Sequence, residues 1–458
     1  MFRWTEWFRN APGFLESWIM LKILKISEYT NKQYNKIGGR LANIEKLMPA
    51  VSKILNDIKL SGDTAVRKYT YKFDGAEIKE MKVSDAEFKL AVKSVDKESV
   101  NALKESIKNI EEFHKKQKPK EELLTSADGS ILGRRCLPLE SVGVYVPGGK
   151  ASYPSTLLMA CIPAKIAGVK RIAVCTPPNK DGNVSSEILA AAQLLGINEV
   201  YKVGGVQAIG AMAYGTKSIP RVQKIVGPGN AYVTAAKRRV YGVVDIDFLA
   251  GPSEVLIIAD NTAEPGFIAS DMLAQIEHDP EAASILVTNS KDLAKKVKDE
   301  IKKQLDTLSR KKIAEASLRK NASIIIVESL QDAVNFANEY APEHIEIITK
   351  NDGEIFRDIK NAGSIFLGRY SAVALGDYCS GTNHILPTGG FARVSSGVSV
   401  DTFIKKPTYQ KISEEGLLRL SKTAMKLAAI EGLDAHAKSI EIRVKALEKR
   451  KSWGVRSE

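Results

Sequence analysis

Val142-Gly143-Val144-Tyr145-Val146, the apolar helical stretch 156–167 and Arg171-Ile172-Ala173-Val174-Cys175 together decide how the central chain reads. A short β-branched run gives way to a 3.6-residue apolar pattern, and then to a second short run. That is the signature of a βαβ unit with parallel strands. The same texture continues to either side. Strands are expected at 142–146, 171–175, 199–203, 224–226, 254–258, 284–287, 323–327, 345–348 and 364–367. Helical patterns occupy 156–167, 186–195, 231–239, 267–277, 291–308 and 332–340 between them. Nine strands are many for one sheet, so two α/β domains with mostly parallel sheets are expected. Upstream, residues 40–120 read as helices, with Leu41, Ile44, Leu47, Met48 and Val51 recurring at threes and fours. The stretch 291–320 carries both charge signs at helical spacing and reads as one solvated amphipathic helix. From Arg393 the strand texture fades, and 407–450 reads as two helices broken around Gly432.

Composition bounds the function classes. The 458 residues are 44% hydrophobic and 26% charged, ordinary globular usage for a chain that buries a large core. Four cysteines (Cys136, Cys161, Cys175, Cys379) lie far apart with no CxxC spacing. This argues against a disulfide framework or thiolate metal site and fits a reducing cytoplasm. The net charge of +13 is spread out, with some concentration at Lys445, Lys449, Arg450, Lys451 and Arg456. Such a tail can bind nucleic acid or acidic lipid, but it reads first as a solvated helix end. No recognised nucleic-acid module accompanies it. No apolar run approaches the roughly 20 residues needed to span a bilayer. Residues 1–19 hold three of the four tryptophans (Trp4, Trp7, Trp18), interrupted by Arg3, Glu6, Arg9 and Glu16. They lack a secretory core. Their composition changes at Met20, the expected natural start.

The candidate chemistry lies in polar segments beside strand ends. Glycine turns follow several strands: 146–149, 203–205 and Gly227-Pro228-Gly229-Asn230. Their backbone amides, next to helix starts, suit phosphate, although no GxGxxG is present and plain tight turns fit as well. Histidine is scarce, with five copies. His114, in a lysine-rich helix end, reads as exposed. Gln275 and His278, three apart on one helix face, suit a shared metal or a capping histidine. Glu343-His344 follows Pro342 in a loop entering a strand, where a carboxylate beside an imidazole makes an acid/base set near neutral pH. A turn with two exposed polar groups fits the same residues. Gly376 to Gly390, with Asp377 and His384, reads as a long polar loop of the kind that is usually functional. His436 lies on the terminal helices. Gln275, His278, Asp377 and His436 would make an N/O site suited to zinc if they converge.

These motifs resemble, in order, those of the histidinol dehydrogenase family. They are Gly205-Val206-Gln207, Gly227-Pro228-Gly229-Asn230, Gly251-Pro252-Ser253-Glu254-Val255, the Gln275/His278 helix, Ala341-Pro342-Glu343-His344, the 377–384 loop and the Glu431/His436 segment. The resemblance runs from about Met20 to the C-terminus. It implies two related, incomplete Rossmann-like α/β domains with small helical domains from the chain ends, in an intertwined homodimer. The implied division is an extension 1–19, a helical arm 20–41, and a discontinuous catalytic α/β domain of 42–146 with 254–393. An NAD-binding domain 147–253 and a tail 394–458 that reaches the partner subunit complete it. It also implies oxidation of L-histidinol to L-histidine through L-histidinal by two NAD, the last step of histidine biosynthesis, with one zinc per subunit. Gln275, His278, Asp377 and His436 resemble the zinc ligands, and Glu343 and His344 the catalytic pair. Ser253, His384 and Glu431 resemble substrate contacts, and Tyr145, Gln207 and Asn230 NAD contacts. A paralogue acting on another small amino or sulfonated alcohol is the nearest alternative, and a nucleic-acid-binding protein a more distant one.

Overall fold

The computed structural model describes residues 21–29, 31–148 and 152–452; the extension 1–19 and the expected start at Met20 lie outside the described residues. The chain forms two compact units, Met1–Gln117 with Leu139–Phe403, and Lys118–Pro138 with Ile404–Glu458.

The larger unit holds two sheets, parallel throughout. The six-stranded sheet runs Lys22–Lys25, Ala322–Ile326, Ala283–Thr288, Glu254–Ala259, His344–Ile348, Ser364–Leu367. The five-stranded sheet runs Val200–Lys202, Arg171–Thr176, Ser141–Tyr145, Lys224–Val226, Asp245–Ile246. All nine expected strands are present. Central strands are apolar on both faces because helices cover both, as parallel sheets require.

Strand alternation sends each side chain to a defined layer. Val255, Ile257, Leu286, Ile324 and Ile348 pack under helices Pro265–Ile276, Lys291–Leu305 and Lys311–Asn321. Leu256, Ile258, Ile345 and Ile347 pack on the opposite face against helix Leu330–Tyr340. His344 and Glu346 share the parity of Ile348, so they face the layer of Pro265–Ile276. In the other sheet Tyr145, Ala173, Cys175 and Ile225 form a core with the long helix Asn31–Asp74 and helices Gly205–Tyr214 and Ala231–Val240.

Several readings differ from the structure. Residues 291–320 are two helices, broken at 306–310, with Val297, Ile301 and Leu305 of the first helix fully buried. The apolar side of the amphipathic pattern is core, and only the lysine side is solvated. Lys22–Lys25, within the expected helical arm, is an edge strand paired with Ser323–Ile326; four residues are too few to show a period, and pairing decides. Ser141–Tyr145 and the helix ending at Asp74 pack in the five-stranded-sheet layer, whereas the sequence reading grouped 42–146 with 254–393.

The smaller unit has an antiparallel sheet of Thr408–Lys411, Ile131–Arg134 and Glu122–Thr125, and a pair of short strands, Ile404–Lys405 with Leu137–Pro138. Helices Glu414–Ile430 and Asp434–Ser452 follow, turning at Gly432 as expected. No helix among the described residues is long and apolar enough to cross a membrane.

Candidate active site

Glu254 is the hub of the site. It opens a strand of the six-stranded sheet and is fully buried, a carboxylate at the head of the otherwise apolar run Val255–Ala259. Its carboxylate accepts from the Tyr340 hydroxyl (3.1 Å) and the Gly389 amide (2.8 Å). Its amide N–H donates to Glu343 Oε2 (2.8 Å), and its carbonyl faces His344 Nδ1 (3.3 Å). The next strand begins at His344, in register with Val255, so the Glu343-His344 pair is clamped by main-chain pairing on one side. Both residues are buried, which removes the reading of a turn with exposed polar groups.

The Glu254 carbonyl sets the tautomer of His344. A carbonyl only accepts, so Nδ1 carries the proton and Nε2 keeps its lone pair. Among the described residues Nε2 has no hydrogen-bond partner, and Asp377 Oδ1 lies 3.7 Å away. Burial lowers the His344 pKa below the ordinary 6.5, opposed by the Asp377 carboxylate and reinforced by the nearby imidazoles of His384 and His278. His344 is thus a neutral imidazole with an available base. His384 is likewise lowered by burial. Its Nδ1 contacts the Asp377 carbonyl oxygen (2.7 Å) and its Nε2 the Thr156 hydroxyl (3.3 Å).

Four chain segments therefore bring His278, His344, Asp377 and His384 into one neighbourhood. Gln275, buried, lies in the last turn of helix Pro265–Ile276, whereas His278 lies two residues past the helix end, in a bend, and not on the shared helix face expected from the spacing. Asp377 sits on the short helix Val373–Tyr378 rather than in an open loop. That helix is tied to the sheet by Glu346, whose Oε1 accepts the Val373 amide N–H (3.0 Å). Burial raises Glu346 and, to about 6, Asp271 on helix Pro265–Ile276. Ser253 is half-buried, its carbonyl accepting from Ala283 (3.0 Å). Glu431 and His436 belong to the smaller unit and are exposed. No group of three His, Cys, Asp or Glu residues poised for a metal occurs among the described residues. Gln275, His278 and Asp377 still offer amide oxygen, imidazole and carboxylate donors, a set that suits zinc and is short of one ligand.

The second set of expected residues lies beyond the carboxyl ends of the five-stranded sheet, where open α/β sheets bind ligands. The Tyr145 hydroxyl accepts the Gly205 amide N–H (3.1 Å), and burial pushes its pKa to about 12. Gln207 is fully buried. Its Nε2 donates to Asp74 Oδ2 (3.3 Å), and its Oε1 has no partner among the described residues. Asn230 caps helix Ala231–Val240, accepting from the Tyr232 and Val233 amides. The turn before it needs glycine at Gly227, where φ is 118° and a Cβ would stand 2.1 Å from the Tyr145 carbonyl oxygen. A buried ion pair, Lys237 with Asp247, grips this turn. Lys237 Nζ donates to the Gly227 carbonyl (3.0 Å), and Asp247 Oδ2 accepts its amide (2.9 Å). The Glu254, Glu343 and His344 cluster, by contrast, sits at the amino ends of the six-stranded sheet.

The comparisons agree with this architecture. A family model described as histidinol dehydrogenase matches residues 39–444. The histidinol dehydrogenase of Methanocaldococcus jannaschii is 50% identical over 425 residues, 92% of this chain and 99% of that protein. The chain belongs to the histidinol dehydrogenase family. As a histidinol dehydrogenase it is an NAD-dependent oxidoreductase, acting at the last step of histidine biosynthesis. The histidinol dehydrogenase of Clostridium acetobutylicum is 50% identical over 400 residues, 87% of this chain and 93% of that one. The crystal structure of the Elizabethkingia anophelis histidinol dehydrogenase superposes with a TM-score of 0.88 at 40% identity, covering 93% of this chain and 99% of that one.

The sequence reading gave no role to Glu254, Glu346, Asp271, Asp74 or the Lys237–Asp247 pair. A signal for the first two was present: a glutamate inside an apolar parallel strand is buried, and buried charges need partners.

Proposed function

We propose that Glu343 and His344 carry out both oxidations of histidinol in one site. The observation that carries this reading is the His344 Nε2, buried, unprotonated and facing Asp377 beside the Glu343 carboxylate. In the first half, His344 Nε2 takes the hydroxyl proton of L-histidinol as the carbinol hydride leaves for NAD, giving L-histidinal. In the second, Glu343 takes a proton from the water that adds to the aldehyde carbon. His344 then deprotonates the hydrate as its hydride leaves, giving L-histidine. The first half releases one hydride and one proton; the second releases one hydride and two protons, one to Glu343 and one to His344, and the added water supplies the second carboxylate oxygen. The Glu254 amide holds Glu343 Oε2, which fixes the carboxylate where a base must stand.

Gln275, His278, Asp377 and His436 would hold one zinc. Bound there, it would fix the amine and imidazole nitrogens of the substrate and so orient the carbinol carbon. Ser253, His384 and Glu431 contact substrate, and Tyr145, Gln207 and Asn230 contact NAD. The larger unit offers three of the four metal donors. This supports a homodimer in which His436 and Glu431 of one subunit complete the other subunit's site. The four unpaired cysteines suit a reducing cytoplasm.

Glu343→Gln tests the division of labour. Alcohol oxidation should be largely spared, while aldehyde oxidation falls by about 10²-fold or more, the ordinary contribution of a positioned general base. Rates measured separately with histidinol and histidinal decide it. Equal losses in both steps would remove the water-activating role.

A further inference from the structure

His114, read from the sequence as exposed, is fully buried, the result of helix Lys97–Lys115 turning its end inward rather than to solvent. That helix reaches the segment after Asp377 at three points. Ser106 Oγ donates to the Tyr378 carbonyl (2.5 Å), Asn109 Nδ2 donates to the Cys379 carbonyl (2.8 Å), and His114 Nε2 meets Asn383 Nδ2 (3.3 Å). The fit is close. Gly381 has φ 114°, and a Cβ there would stand 2.8 Å from the Asn109 carbonyl oxygen.

The protons in this network have one consistent arrangement. Asn383 Oδ1 accepts the Ile385 amide (2.9 Å), and Nδ2 donates to the Met159 carbonyl (2.6 Å), which fixes the amide orientation. Nδ2 therefore presents a hydrogen to His114 Nε2, which must accept it. His114 Nδ1 faces the Ile110 carbonyl (2.9 Å) and must donate. Burial keeps the ring neutral, against the pull of the Ile110 and Val398 backbone groups. A neutral, Nδ1-protonated His114 thus completes the hydrogen bonding of Asn383, the residue directly before His384.

We propose that His114 is a positioning residue of the substrate site, holding through Asn383 the segment that carries Asp377 and His384. This rests on the assignment of those two residues to metal and substrate. It also assigns helix Lys97–Lys115 a role in histidinol binding and none in NAD binding.

The test compares His114→Phe, which fills the space without an acceptor, with His114→Gln, whose amide oxygen can accept from Asn383. The readouts are the KM for histidinol and for NAD in the zinc-loaded enzyme, and the Kd of histidinol by calorimetry. His114→Phe should weaken histidinol binding about tenfold, the ordinary effect of one buried donor left unpaired, with the NAD KM unchanged. His114→Gln should recover most of the loss. Wild-type histidinol binding in folded His114→Phe, equal loss in both variants, or equal shifts in both KM values would overturn the proposal. If neither variant folds, Asn109→Ala replaces them. A raised histidinol KM alone supports the proposal, and wild-type values overturn it. His384→Asn is the control for the underlying assignment: unchanged histidinol KM there would remove the site reading, and this proposal with it.

Discussion

His344→Asn should abolish both oxidations together, lowering kcat by about 10²- to 10⁴-fold, because asparagine offers no base where Nε2 stood. The substitution leaves the strand pairing of residue 344 intact, and Asn Nδ2 can still donate to the Glu254 carbonyl in place of Nδ1–H. Histidinol binding should therefore survive better than turnover, so kcat falls far more than KM changes. The pH profile follows from the direction of the shift. Burial places the His344 pKa below 6.5, so the active neutral form persists at pH 7 and activity is lost as pH falls through the lowered value. Mixing His344→Asn with inactive His436→Asn subunits should restore activity, since half of the hybrid's sites would then combine an intact His344 with an intact His436. No rescue after demonstrated subunit exchange would mean that each site is built within one chain.

Lys237→Met should destabilise the larger unit by about 3–5 kcal/mol, the usual cost of leaving one half of a buried ion pair unpaired. The two side chains are 2% and 1% exposed, so water cannot compensate Asp247. Total stability of a domain is about 5–15 kcal/mol, so such a loss is severe. The double variant Lys237→Met with Asp247→Asn should recover part of it by removing the stranded charge. Denaturant unfolding of both variants checks the order. A single variant as stable as the parent would show that the pair is not the clamp of the Gly227–Asn230 turn that its hydrogen bonds imply.

The fold was legible wherever a strand or helix carried its own period. Glu254–Ala259 and Ala283–Thr288 announce themselves as short apolar runs between helices, and the break at Gly432 appears as a turn residue between two helical patterns. Lys22–Lys25 and Glu122–Thr125 did not. Each has four residues, and each is a strand because of a partner elsewhere: Ser323–Ile326 for the first, Ile131–Arg134 for the second. The site was legible as residue types but not as an arrangement. His278, His344 and His384 come from three segments, and only the sheet register and the return of Pro265–Ile276 to the amino edge bring them together. His114 shows the converse. A lysine-rich neighbourhood suggests solvent, yet His114 stands four residues after the buried Ile110 on the same helix face, and that spacing, not the lysines, marks it as inward.

The most direct measurement is the yield of NADH from limiting L-histidinol, by metal-free protein and after reconstitution with zinc. The account predicts about two NADH per histidinol from the zinc-loaded enzyme and almost none without metal, each hydride going to the cofactor while the protein supplies the bases. One NADH per histidinol from folded, zinc-loaded protein would contradict it, leaving a simple alcohol dehydrogenase and no role for Glu343 in activating water.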